Sequence, residues 1–85
     1  MRIRELLIDS VDRRILEILR NSKHSMSTYE IAKKGGFSWS AANAHCYKLK
    51  SMGLIEGYIE EVYIGKMRTL WTIGDRASII DAVRA

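Results

Sequence analysis

Between positions 38 and 50 the chain places Ser38, Ser40, Tyr47, Lys48 and Lys50 among small residues. Hydroxyl and ammonium groups of this kind donate hydrogen bonds to phosphate oxygens, contacts that set a protein's register on a polyanion and make its affinity salt-dependent. Asn43 stands in the same stretch, and a carboxamide has adenine as its natural two-point partner. Ala41 and Ala44 would let a helix come close to base edges or meet a thymine methyl. Lys66 and Arg68 add two cations further along.

Other chemistries find less support. There is no glycine-rich phosphate loop, no nucleophile with an identifiable base, and no carboxylate pair placed for acid–base work. Glu60 and Glu61 are neighbours on a β-rich run and would point to opposite faces. His45 and Cys46 are adjacent and His24 is isolated, which is not a set of three or four ligands at zinc spacing. Cys46 falls on the apolar side of its helix, where a free cysteine behaves as a small hydrophobe. The expectation is a protein without enzyme activity, cofactor or metal.

The charge pattern agrees with a polyanionic partner. The net charge is +4, and residues 23–53 carry Lys23, Lys33, Lys34, Lys48 and Lys50 against Glu30 alone. Clustering says more about a phosphate-binding surface than the total does. No apolar run exceeds three residues, far short of the ~20 needed to span a bilayer. With no secretory signal and one cysteine, the sequence reads as intracellular, and as cytoplasmic and nucleoid-associated if DNA is the partner.

The elements that must position these residues are short. In "DSVDRRILEILRN", Val11, Ile15, Ile18 and Leu19 share one face of a helix over 9–22, with Asp9 or Ser10 able to cap it. A second helix, 27–35, opens with Ser27 and Glu30 at capping-box spacing. It keeps Lys33 and Lys34 in its last turn and stops at Gly35 or Gly36. Ser38 caps a third helix, 38–53, ended by Gly53. On it Ala42, Cys46 and Leu49 share the inward side, with His45 flanking them. Ser40, Ala44, Tyr47, Lys48 and Ser51 share the outward side, with Asn43 on the shoulder.

From 54 to 73 the period changes towards two, and "GYIEEVYI" and "MRTLWTI" read as a hairpin. A two-residue Gly65-Lys66 loop pairs Glu60 with Trp71, whereas a three-residue loop pairs Glu61 with Trp71; both registers stay open. "GDRASIIDAVRA" completes the chain as a helix over 75–84 capped by Asp75.

The order helix, break, helix, glycine turn, helix, hairpin resembles the winged helix-turn-helix superfamily, in particular the small bacterial, archaeal and archaeal-virus transcription regulators. The stretches that carry the likeness are "STYEIAKKGGFSWSAANAHCYKLKSMGLI" and "LWTIGDRA". The resemblance implies a single α+β, mainly helical domain over 1–85: a three-helix core, a two-stranded wing and a short C-terminal helix. It implies double-stranded DNA as partner, with the start of the third helix in the major groove. The matching positions are Ser38, Trp39, Ser40, Asn43, Ala44, Tyr47 and Lys48, joined by Lys50 on charge and by Lys66 and Arg68 on the wing. The third helix has no arginine, so bidentate guanine reading is not expected from it.

Trp39 has two roles open, contact with DNA or packing between the second and third helices. Ile3, Leu6 and Leu7, with Ile79, Ile80 and Val83, give the ends more apolar surface than a small wing domain needs, which suggests a homodimer through the terminal segments. Two further functions stay open: a protein-interaction module built on the same fold, and a sequence-independent architectural DNA-binding protein. No effector domain is expected within 85 residues.

Overall fold

The computed structural model describes residues 8–74. The expected 75–84 helix, its Asp75 cap and the apolar terminal residues proposed for dimerisation lie outside that range. Three helices are followed by a hairpin: α1 (Ser10–Arg20), β1 (Met26–Ser27), α2 (Thr28–Gly35), α3 (Trp39–Ser51), β2 (Ile55–Tyr63) and β3 (Lys66–Ile73).

Each helix starts where a local side chain satisfies its first N–H groups. Asp9, not Ser10, caps α1; its carboxylate accepts the Asp12 N–H at 2.9 Å while the Asp12 carboxylate accepts the Asp9 N–H at 3.1 Å. Ser27 and Glu30 form the expected capping box on α2, with bonds of 3.1 and 2.9 Å. Ser38 Oγ accepts the Ala41 N–H at 3.0 Å and starts α3. Gly36, at φ +78°, closes α2 and turns the chain towards α3. At the end of α3 the Gly53 N–H reaches Lys50 O at 2.9 Å and the Leu54 N–H reaches Leu49 O at 3.0 Å, the paired bonds of a left-handed C-terminal cap.

The core lies where the three helices meet the base of the sheet. Ile15, Leu16, Ile18 and Leu19 of α1 pack with Ile31 and Ala32 of α2, Ala42, Cys46 and Leu49 of α3, and Leu54, Ile55 and Trp71 beyond. Burying each of the larger aliphatic side chains stabilises the fold by roughly 1.5–3 kcal/mol. Leu16 joins the expected α1 face, and Val11 is only partly covered.

The sheet departs from the expected two-stranded wing. It has three antiparallel strands in the order β1-β3-β2, so the two-residue β1 covers the inner edge of β3 and pairs Met26 with Trp71. Neither expected hairpin register occurs: Trp71 lies opposite Gly57, three residues from Glu60. The turn is Ile64-Gly65, one position earlier than Gly65-Lys66, and an irregularity between Glu61 and Tyr63 shifts the ladder again. The buried Trp71 ring decides the register, because a Cβ at position 57 would sit 2.5 Å from ring atom Cζ3. Only glycine fits opposite that tryptophan. Trp71 Nε1 in turn donates to Thr28 Oγ1 at 2.8 Å, tying the central strand to the start of α2.

Candidate nucleic-acid interface

The side of α3 away from the core is open. Ser38, Trp39, Ser40, Ala44, Tyr47 and Lys50 are exposed, and Asn43 is half-buried on the shoulder. Trp39 is 54% exposed, so it does not fill the space between α2 and α3. Tyr47 is 48% exposed yet sets its ring edge-on to Trp71, with centroids 5.0 Å apart and planes at 90°. It therefore braces α3 against the root of the wing while its other side faces outward.

Lys48 is placed differently from its neighbours. Its ammonium donates to Asp12 Oδ2 at 2.5 Å, and His45 Nδ1 lies 2.7 Å from Asp12 Oδ1. Asp12 is fully buried, and its carboxylate joins α1 to two successive turns of α3. Burial pushes the Asp12 carboxyl up, but Lys48, His45 and the Asp9 N–H together outweigh it and hold the group below the usual carboxylate range. Sequence reasoning missed Asp12. The Asp9-x-x-Asp12 spacing marks a capping box, but nothing local signals that its carboxylate is also covered by α3.

Asp9, Asp12 and His45 offer donor atoms within 4.8 Å of one another. Both Asp12 oxygens are already engaged, one by an ammonium, so the group is an ion-pair cluster and a poor cation site. Burial, with a smaller contribution from the Asp12 charge, pushes the Cys46 thiol up to about 12. Such a thiol is inert at neutral pH, as expected of a packing residue.

On the wing, Lys66 is exposed at the tip, whereas Arg68 Nε donates to Glu60 Oε1 across the ladder at 2.7 Å. Between the wing and the helices runs a groove of about 590 Å³. Lys66, Met67, Arg68 and Thr69 form one wall; Ser27, Thr28, Tyr29, Glu30 and Trp39 form the other. The structure thus brings the start of α3 and the wing cations to a single concave face. Tyr29, 63% exposed, belongs to that face, and sequence reasoning did not single it out. Lys48 lies apart, held by α1.

The chain belongs to the winged helix-turn-helix DNA-binding family, whose sequence profile it matches over residues 8–56. No curated protein matches the sequence. Among solved structures it is similar to a possible transcriptional regulator from Methanosarcina mazei, with TM-score 0.79 and 14% identity over 94% of this chain and 68% of that one. It is also similar to a homodimeric winged helix-turn-helix DNA-binding domain from Mycobacterium bovis, a possible ArsR-family regulator. There the TM-score is 0.73 and the identity 25%, covering 95% of this chain and 69% of that one. A third similar structure is Bacillus subtilis PadR in complex with operator DNA, with TM-score 0.72 and 21% identity, where 89% of this chain spans 48% of the PadR chain. Among the described residues no helix is long and apolar enough to cross a membrane.

Proposed function

We propose that the chain is a transcriptional regulator that binds double-stranded DNA sequence-specifically as a homodimer, in the compartment that holds the DNA. The N-terminal half of α3 enters the major groove and the wing lies on the backbone or minor groove. The observation that carries this reading is the shared concave face, on which Trp39 and Tyr29 stand across one groove from Lys66 and Arg68; Ser40 and Ala44 are exposed further along α3 and Asn43 is half-buried. Asn43 is the best-placed direct reader, with adenine as its partner. Ser38, Ser40 and Lys50 contact phosphates, and Tyr47 adds a hydroxyl beside them. Lys48 acts mainly by fixing the helix through Asp12.

The homodimeric M. bovis relative supports a dimer and the PadR–operator complex supports DNA as the partner; a two-fold dimer would meet half-sites about 34 Å apart. Selection of bound sequences from a random duplex pool, followed by salt titration of the winner, tests the reading. The expected result is an enriched, two-fold symmetric site whose affinity falls steeply with salt, and a Lys50→Glu, Lys66→Glu double variant weakened by at least about ten-fold, as for loss and reversal of two phosphate contacts. No enrichment together with salt-independent binding would refute it.

The apolar wing supports a second reading, an assembly module. Ile64 is 96% exposed and Ile59 68%, with Tyr63 and Met67 exposed beside them. In that case duplex binding would be weak for every sequence.

A further inference from the structure

A second groove, of about 670 Å³, runs between α2 and the loop after α1. Its walls include Lys23 and His24 of the loop after α1 and Tyr29, Glu30, Lys33 and Lys34 of α2. Tyr29 and Glu30 also line the groove beside the wing, so the two concavities adjoin at those residues. Among the described residues Glu30 is the only acid lining the second groove, against three lysines. Its carboxylate is already engaged by the Ser27 N–H at 2.9 Å. Lys33 and Lys34 each complement the C-terminal dipole of α2, which accounts for a cation at either position. It does not account for Lys23, from a different element, facing the same hollow.

We propose that this groove is a second phosphate-binding surface, which holds the sugar–phosphate backbone of the duplex flanking the segment read by α3. Lys23, Lys33 and Lys34 supply the charge, and Tyr29 carries the track across from the wing side. Charge complementarity selects the occupant: a concave, lysine-lined surface with one internally bonded acid attracts a polyanion. Its adjacency to the wing groove, through Tyr29 and Glu30, favours the same DNA molecule over a separate ligand. The inference rests on the DNA-binding reading and extends the footprint beyond the recognition helix.

The test is a salt titration of the full chain and of a Lys23→Gln, Lys33→Gln, Lys34→Gln variant. Each is measured on a short duplex limited to the selected site and on one extended at both ends. All three lysines are exposed, so the variant should fold, losing only the small dipole stabilisation of Lys33 and Lys34; the single Lys23→Gln variant, in a loop, serves if that loss proves larger. Losing three phosphate contacts lowers the log–log salt slope by about 2.7, so between about 50 and 200 mM salt the parent should lose about forty-fold more affinity than the triple variant. For Lys23→Gln alone the slope should fall by about 0.9. The difference should appear on the extended duplex and vanish on the short one. An unchanged slope on the extended duplex, with the parent binding normally, overturns this proposal alone. A parent that binds without salt dependence overturns the functional reading itself.

Discussion

Asp12 shows how one side chain joins capping to helix placement. Its carboxylate accepts the Asp9 N–H, a His45 ring contact and the Lys48 ammonium, which is why a fully buried acid stays charged. Because its folded-state pKa lies below the unfolded value, the stability it gives is present above the unfolded pKa and lost as pH falls through the folded one. The protein should therefore weaken below about pH 4, and Asp12→Asn should flatten that acid limb in denaturant melts. At neutral pH Asp12→Asn should cost about 2 kcal/mol, less than a fully buried pair would, since Lys48 is partly exposed and regains water. Acid limbs that coincide for the two proteins would show that Asp12 carries no such linkage.

At the scale of elements, the helices were readable because their signals are local. Ser27 with Glu30, Ser38, and the glycines at 36 and 53 each act within a few residues of themselves. The hairpin register was not readable, because its determinant is a contact between a glycine and a tryptophan fourteen positions apart, Gly57 and Trp71. Both faces of the outer wing are exposed, so the alternation of types there fits several registers equally. The two-residue β1 is too short to leave a periodic signal and exists because Trp71 and Leu70 offer it an edge. The candidate interface was legible in part for the same reason: exposure along α3 follows from helical spacing, whereas the engagement of Lys48 by Asp12 and of Arg68 by Glu60 depends on how elements meet. Gly57→Ala tests the register. With a Cβ 2.5 Å from the Trp71 ring, it should lose about 1–3 kcal/mol of stability in denaturant melts, as overpacked sites do. A neutral change would mean that the ring is not seated there.

For the whole molecule, the question is which surfaces are spent on folding and which remain for a partner. Trp71 and Trp39 divide those roles, one fully buried and the other 54% exposed. Trp39→Ala should leave thermal stability within about 0.5 kcal/mol of the parent, as surface changes do. It should weaken duplex binding by about five-fold or more, the scale of losing one aromatic anchor. The opposite pattern, a destabilised protein with intact binding, would return Trp39 to the core. The same division runs through the positions expected at the interface: Trp39, Lys66 and Arg68 line one groove, while the Lys48 ammonium is held by Asp12 of α1.

The edge-on contact between Tyr47 and Trp71 has a mechanical consequence. It joins α3 to the root of the wing, so that on the proposed DNA interface the two arms would keep one spacing, like a caliper locked at a single setting. A duplex whose local groove width matched that setting would be gripped without deformation; one that did not would have to bend or narrow to fit. Part of the selectivity would then come from the stiffness of the DNA, at base pairs that no side chain touches.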